Sequence, residues 1–137
     1  MFKKSNLILV VFIAIFFGAC SLKKGVEVEN ISLENSKWEL ISLNQKEIKK
    51  VEKVANINFE KERVFGNLGC NNFFGAYKLN KNSLEIGQVG STMMMCQNMQ
   101  TEQDFAKVLQ DVKTYKIDKN SLVFFDENSK EIAKFRN

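Results

Sequence analysis

Short segments in which apolar and polar residues alternate recur along the chain from Trp38 to its end. Alternation with a period of two residues is typical of strands with one buried face, and polar turns keep each strand short. The segments are residues 38–43, 54–60, 64–67, 73–79, 115–117, 122–125 and 131–135, and residues 84–95 add one or two more. The pattern predicts about seven short strands.

The same alternation predicts which side chains face the core. In residues 38–43, it places Trp38 and Leu40 on one face and Leu43 on the opposite face. The apolar members of residues 54–60 are Val54, Ile57 and Phe59, and either Phe73 or Phe74, together with Tyr77, supplies core area from residues 73–79.

Only residues 101–115 have the period of a helix. Their apolar residues are three or four positions apart, as one buried helix face requires: Phe105, Val108, Leu109 and Val112. Thr101 is the predicted N-cap, with Asp104 three residues later as its box-like partner. Strands without βαβ alternation predict a mainly β (α+β) domain, a small antiparallel curved sheet or β-barrel-like domain with one α-helix packed against it.

Residues 66–77, GNLGCNNFFGAY, combine three glycines with a cysteine and paired asparagines. A phosphate loop would lead into a helix, whereas this stretch leads into a strand. A catalytic cysteine or serine usually takes its base from a histidine, and the chain has none. Ser-Lys and carboxylate-pair mechanisms are the remaining alternatives, and no arrangement of Glu or Asp stands out from surface charge. We interpret the stretch as a turn. Gly66, Gly69 and Gly75 allow positive φ angles or the close approach of neighbouring backbone, and the Asn71 side chain forms hydrogen bonds with its own backbone. The sequence predicts no catalytic residue and no cofactor.

The N-terminus has the pattern of a lipoprotein signal peptide. Lys3 and Lys4 precede an apolar run over residues 7–19, which is shorter than the roughly 20 residues of a membrane span. The run ends in FGAC, which resembles the lipobox of bacterial lipoproteins and implies cleavage before Cys20 and lipid on its thiol. An ordinary secretion signal is the alternative. Ser21 after the cysteine favours the outer membrane, facing the periplasm.

These features divide the chain into a signal peptide (1–19), a lipidated tether (20–35) and one domain (36–137). Without residues 1–19 the net charge falls from +4 to +2, which predicts no nucleic-acid partner. With Cys20 lipidated in an oxidising compartment, Cys70 and Cys96 are left to form a disulfide. Two reduced, buried thiols are the alternative.

Residues 91–96, STMMMC, raise the question of a soft metal site, since thioethers bind copper(I). The candidates are Met93, Met94, Met95, Met99 and Cys96. Successive residues of a strand face opposite sides, however, which favours core packing with Met94 directed outward. The sequence predicts no metal.

Four features together resemble the META domain family, which includes HslJ-like heat-shock proteins: WEL at Trp38, INF at Ile57, the stretch 66–77 and Thr92 within STMMMC. The resemblance covers residues 36–137. It implies a small barrel-like sheet with a helix, and it makes Trp38, Gly66, Gly69, Asn71, Gly75, Tyr77 and Thr92 motif residues. It also implies a lipoprotein of the cell envelope linked to stress or antibiotic tolerance, and it implies no reaction.

We therefore expect a non-enzymatic, lipid-anchored envelope protein that acts by binding, with an envelope protein as its partner. A periplasmic inhibitor of a lysozyme or protease is an alternative, because rigid loops lose little entropy on binding. The other alternative is a protein that binds a small ligand in a barrel mouth lined by Phe73, Phe74, Phe124 or Phe125.

Overall fold

The computed structural model describes residues 32–48 and 53–137. The predicted signal peptide, Cys20 and most of the predicted tether lie outside these residues. The described elements are β1 (Ser36–Leu43), β2 (Lys46–Glu47), β3 (Asn56–Glu60), β4 (Arg63–Asn67), β5 (Asn72–Asn80), β6 (Ser83–Ile86), β7 (Gly90–Ser91), α1 (Gln100–Asp111), β8 (Thr114–Asp118), β9 (Ser121–Phe125) and β10 (Glu131–Arg136).

Eight of the described strands form a closed antiparallel barrel. The order is β1, β3, β4, β5, β6, β8, β9 and β10, and pairing of β10 with β1 closes the ring. The short β2 extends β1 as a hairpin, and β7 pairs with β5. Closure removes the exposed strand edges at which sheets aggregate. The predicted fold class is confirmed. The described residues form ten strands: the seven named segments, two short strands (β6 and β7) where one or two more were expected, and the two-residue β2, which was not predicted.

Turn residues explain why the strands end where they do. Asn44 and Gln45 join β1 to β2 with φ of 48° and 64°, the left-handed conformation that both central residues of a tight hairpin turn need. Glu62, Lys81 and Lys119 also have positive φ, at the turns before β4, β6 and β9. The hairpins order the strands around the barrel.

A β-bulge overturns the predicted facing of Leu43. Trp38 and Leu40 point into the core as predicted, but the register of β1 against β10 shifts between Leu40 and Ser42. A bulge inserts one extra residue and reverses the alternation beyond it, so Leu43 is buried with them. Val54 was also assigned to the core wrongly: β3 begins at Asn56, and Val54 is 59% exposed.

The core is a packed cluster of aromatic and aliphatic side chains. The ring of Phe59 makes edge contacts with Tyr77 at 5.0 Å and Phe124 at 6.5 Å between centroids. The predicted apolar face of α1 is confirmed, because Phe105, Val108, Leu109 and Val112 are all buried. The Phe105 ring lies 6.0 Å from Phe73 and 5.8 Å from Phe135, which fixes the helix against the barrel interior.

The predicted cap of α1 is wrong. The helix begins at Gln100, one residue before Thr101, so Thr101 lies in the first turn with its side chain buried. Asn98 Oδ1 instead accepts a hydrogen bond from the Gln100 N–H at 3.1 Å. Asp104 accepts a hydrogen bond from the side chain of Gln100 at 3.0 Å. Periodicity located the helix but not its first residue.

The filled interior also removes the predicted barrel mouth. Phe73 and Phe124 are 1% and 0% exposed and belong to the core, while Phe74 points outward and is 61% exposed. Neighbouring residues of one strand face opposite sides, so the four phenylalanines do not line one cavity. The alternative of a ligand held in a mouth lined by Phe73, Phe74, Phe124 and Phe125 loses its structural basis.

Candidate binding site

The turn between β4 and β5 has a backbone conformation that only particular residues adopt easily. Gly69 has φ of 114°, a conformation that side chains disfavour. Asn67 Oδ1 accepts a hydrogen bond from the Gly69 N–H at 2.8 Å, and Asn67 Nδ2 donates to Asn72 Oδ1 at 2.9 Å. The Leu68 N–H donates to the Asn71 carbonyl at 2.8 Å. The stretch is a tight turn, as the sequence predicted. The prediction that Asn71 bonds its own backbone is wrong, because Asn67 bonds the turn backbone and the Asn71 side chain bonds more distant residues.

The other two motif glycines permit close packing. A Cβ on Gly66 would lie 2.1 Å from the carbonyl oxygen of Asn56 on the neighbouring strand. A Cβ on Gly75 would lie 2.9 Å from Val89 Cγ1 and 3.3 Å from the carbonyl oxygen of Gln88. Both contacts are too short for any larger residue to fit without displacement, so the glycines let β4 and β5 approach their neighbours.

Asn71 is the centre of the site, and its buried amide holds the segment that follows β7. Its Oδ1 accepts hydrogen bonds from the Thr92 hydroxyl at 2.8 Å and the Met94 N–H at 2.7 Å. Its Nδ2 donates to the Met94 carbonyl at 3.0 Å. One side chain thereby replaces a strand neighbour for Met94, whose backbone donor and acceptor are both satisfied.

The same asparagine joins this segment to α1. The Asn71 N–H donates to Glu102 Oε2 at 2.7 Å, and Asn71 Nδ2 donates to Glu102 Oε1 at 2.9 Å. All four hydrogen-bonding positions of the amide are therefore used. Glu102 lies in the first turn of α1. The sequence did not predict this contact, because the two residues are 31 positions apart.

A disulfide holds the other end of the segment. The sulfur atoms of Cys70 and Cys96 lie 1.94 Å apart, with 6.1 Å between their Cα atoms. The disulfide distance agrees with the predicted pairing, and Cys70 is completely buried. We name Cys70, Asn71, Cys96 and Glu102 the Asn71 clamp, because together they attach the segment to the barrel and to α1.

The segment held by the clamp exposes methionine side chains. We name residues 92–99, between β7 and α1, the methionine loop. Met93 is 94% exposed, Met95 93% and Met94 45%. The prediction that Met93 and Met95 pack in the core is wrong, and Met94, which was predicted to point outward, is the least exposed of the three. Residues 92–99 form neither a strand nor a helix, so the alternation rule does not apply to them. Bonded to Cys70, Cys96 has no free thiolate to offer a metal.

A further apolar side chain is exposed on β5, the strand that pairs with β7 just before the loop. Phe74 on β5 pairs with Gly90 on β7, three residues before Met93. A Cβ on Gly90 would lie 2.8 Å from Phe74 Cζ, so the ring rests against the bare backbone of the glycine. Exposed apolar patches mark interaction surfaces, and the pairing of β5 with β7 brings Phe74 to the strand that leads into the loop.

The remaining motif residues lie away from the clamp. Trp38 is fully buried, and its Nε1 donates to Ser36 Oγ at 2.6 Å, so it serves the core. Tyr77 is 5% exposed and contacts Phe59 from the second half of β5. The structure brings together Gly66, Gly69, Asn71 and Thr92 around the turn and the loop, and it places Gly75 on the adjoining strand.

The charges around the site offer no reactive arrangement. The ion pairs among the described residues are Lys107 with Asp111 at 2.7 Å and Arg136 with Glu39 at 2.6 Å, both on the surface. The hydrogen bond to Asp111 raises the pKa of Lys107. Within residues 32–48 and 53–137, no three His, Cys, Asp or Glu side chains group closely enough to hold a metal ion. The same part of the chain contains no helix long and apolar enough to cross a bilayer.

Comparisons with known proteins agree with this architecture. The family model of the META domain matches residues 31–137. A search of curated proteins finds no match. Solved structures share the fold: an NMR structure at 22% identity covers 75% of this chain and 89% of that protein, with a TM-score of 0.61. An NMR structure from Burkholderia xenovorans has 18% identity, coverage of 76% and 82%, and a TM-score of 0.63. A crystal structure of a DUF4847 family protein from Bacteroides vulgatus has 14% identity, coverage of 76% and 93%, and a TM-score of 0.56.

Proposed function

The chain belongs to the META domain family, and we propose that it is a non-enzymatic binding module of the bacterial cell envelope, anchored through lipid on Cys20. The methionine loop is its contact with a protein partner. The observation that carries this proposal is the near-complete exposure of Met93 and Met95 on backbone that the Asn71 clamp holds in place.

Exposed methionines suit a binding surface for a physical reason. The side chain is apolar, unbranched and polarizable, so it adapts to an irregular apolar groove and gains free energy when water is removed. Two methionines that are more than nine-tenths exposed add nothing to the core, so their burial is left for a partner. Phe74 provides a third exposed apolar side chain, in the part of β5 that pairs with β7 just before the methionine loop.

The clamp supports binding by fixing the loop before the partner arrives. The loop is held at Thr92 and Met94 by hydrogen bonds and at Cys96 by the disulfide. Ordering a mobile loop on binding costs free energy, and a loop already held avoids most of that cost. A fixed backbone with adaptable side chains is therefore suited to recognition.

The lipid anchor is the second element of the proposal. Acyl chains contribute about 0.8 kcal/mol per buried methylene, and two or more chains give stable attachment. The family match begins at residue 31, which leaves a short tether between Cys20 and the domain. The proposed place is the outer membrane facing the periplasm, and the proposed setting is envelope stress or antibiotic tolerance.

Metabolic labelling with an alkyne fatty acid tests the anchor. We expect the full wild-type chain to carry the label and the Cys20→Ala variant to lack it. A wild-type chain without label and in the soluble fraction contradicts the anchor.

Site-specific crosslinking in whole cells tests the binding role. A photoreactive amino acid replaces Met93 or Met95 in the full chain, and a matched control places it at Glu127, an exposed residue outside the loop. The proposal expects the same adduct from both loop positions and none from residue 127. Equal adducts from all three positions, or none from any, contradict a partner at the methionine loop.

Inhibition of a periplasmic hydrolase is a second candidate, and the disulfide at the end of the loop favours it. A rigid exposed loop is a suitable shape for insertion into an enzyme cleft. Residual activity of a panel of lysozymes and proteases, measured with the wild-type chain and with Met95→Asp, tests this role. Inhibition that the substitution weakens supports it, and full enzyme activity at saturating protein removes it.

A further inference from the structure

A cavity lies on the opposite half of β5 from the clamp. It has a volume of about 650 Å³ and opens to solvent. The β3–β4 turn, the end of β5, β6 and the segment before β1 form its walls, and its lining includes Glu34, Glu62, Tyr77, Lys78, Leu79 and Glu85. Cavities of this size hold small organic ligands. We name it the acidic cleft.

The cleft contains negative charge that the described residues do not neutralise by contact. Glu34, Glu62 and Glu85 take part in no ion pair with a residue in ranges 32–48 and 53–137. Lys78 stands opposite Glu85 in the β5–β6 pair. Three carboxylates and one ammonium group leave two negative charges at the walls, which attract a cation.

A tyrosine hydroxyl group that has no hydrogen-bond partner among the described residues, and is accessible to solvent, also belongs to the cleft. Tyr77 lines the cavity although its side chain is only 5% exposed, and its hydroxyl makes no hydrogen bond to any described residue. Burial raises the pKa of Tyr77, and the charges of Glu34, Tyr115 and Glu62 raise it further, so the phenol stays neutral. A neutral phenol accepts a hydrogen bond as well as donating one, so the Tyr77 hydroxyl is available to a ligand in the cleft.

The arrangement fits an organic cation better than a metal ion. A metal requires three or more ligands around one point, and no such group exists within the described part of the chain. The carboxylates belong instead to three separate segments: the residues before β1, the β3–β4 turn and β6. Leu79, which is 38% exposed, and the ring of Tyr77 give the cleft apolar surface between the charges.

We propose that the acidic cleft binds a small organic cation whose ammonium or guanidinium groups are carried on an apolar chain. The cationic groups contact the carboxylates of Glu34, Glu62 and Glu85, and one of them donates a hydrogen bond to the Tyr77 hydroxyl. This site uses neither the Asn71 clamp nor the methionine loop, so it does not depend on the proposed partner.

Calorimetric titration of the full chain in a non-ionic detergent tests the site, with spermidine and agmatine as probes. Saturable binding with Kd below about 1 mM is expected. Glu62→Gln and Glu85→Gln each weaken it about two- to fivefold, the loss expected for one exposed charge pair. Glu127→Gln, which removes an exposed carboxylate elsewhere, leaves Kd unchanged.

Tyr77→Phe separates recognition from stability. It keeps the ring packed on Phe59 and weakens binding about two- to tenfold, as loss of one hydrogen bond predicts. The thermal midpoint of the free protein does not fall, because the hydroxyl has no protein partner to lose among the described residues. Three results each overturn the proposal: no saturable binding of either probe, unchanged Kd in Tyr77→Phe, or displacement of spermidine by Mg²⁺ at equal concentration.

Discussion

The Asn71 clamp and the methionine loop are adjacent in the structure and opposite in character. In the clamp, Asn71 is 2% exposed and all four positions of its amide are hydrogen-bonded. In the loop, Met93 and Met95 are more than 90% exposed and stabilise nothing by burial. The comparison teaches that the motif residues fix the loop backbone while leaving its side chains free. Substitutions in the clamp should lower stability, and substitutions of Met93 and Met95 should affect recognition alone.

Of the interactions in the clamp, the disulfide is expected to contribute most to the free energy of unfolding. The double substitution Cys70→Ala/Cys96→Ala removes the constraint on a loop with a sequence separation of 26. Chain entropy predicts a loss of about 3.5 kcal/mol in the free energy of unfolding, measured by urea denaturation. The intact mass before and after reduction provides the control, since opening the bond adds two hydrogen atoms. A wild-type mass that does not change, with equal stability of the two chains, would mean that the clamp functions without a disulfide.

Asn71→Ala is the next largest change. It leaves the Met94 N–H and carbonyl and the Glu102 Oε1 atom without their partner, while the backbone N–H of residue 71 still donates to Glu102 Oε2. Each such loss costs about 1–3 kcal/mol unless water enters. We expect a destabilisation of about 2–3 kcal/mol and loss of hydrogen-exchange protection at the Met94 amide. The matched variant Asn80→Ala, at the exposed end of β5, should change stability by less than about 0.5 kcal/mol. Equal effects of the two variants would show that Asn71 does not hold the loop.

Two glycines, Gly66 and Gly87, differ in the space around them and test whether the close approach at Gly66 matters for stability. Gly66→Ala puts a methyl group 2.1 Å from the Asn56 carbonyl oxygen, and the required shift of β3 or β4 should cost about 1–3 kcal/mol. Gly87→Ala meets only the Ala76 carbonyl oxygen at 3.5 Å, an ordinary contact, and should leave stability nearly unchanged. Thermal unfolding of both variants measures the difference. Similar midpoints for the two would remove the structural role assigned to Gly66.

The features of the fold that repeat locally were predictable from the sequence. The period of α1 and the alternation of β3 correctly gave Phe105, Leu109, Ile57 and Phe59 as core residues. Barrel closure was not predictable in this way, because β1 and β10 lie at opposite ends of the domain: Glu39 and Arg136, which form an ion pair, are 97 positions apart. The bulge that buries Leu43 depends on the same distant pairing.

The site was predictable only in part, for a similar reason. Glycines and a cysteine pair are visible as residue types, so the turn and the Cys70–Cys96 pairing followed from them. The exposure of Met93 and Met95 did not, since it depends on an amide more than twenty positions earlier that holds the backbone in place of a strand. Apolar residue type favoured burial, and a contact between distant residues decided otherwise.

The double substitution Met93→Ser/Met95→Ser tests the central claim most directly, when unfolding and partner capture are measured on the same full chain. Capture uses a photoreactive amino acid at residue 94, which is half-exposed in the same loop, and the chain with methionine at 93 and 95 is the reference. The account predicts an unfolding free energy within about 0.5 kcal/mol of the reference, because exposed side chains contribute little to stability, together with a loss of most of the crosslinked adduct. A clear fall in stability, or an adduct formed in undiminished yield, would contradict the claim that the clamp supplies stability and the methionines supply recognition.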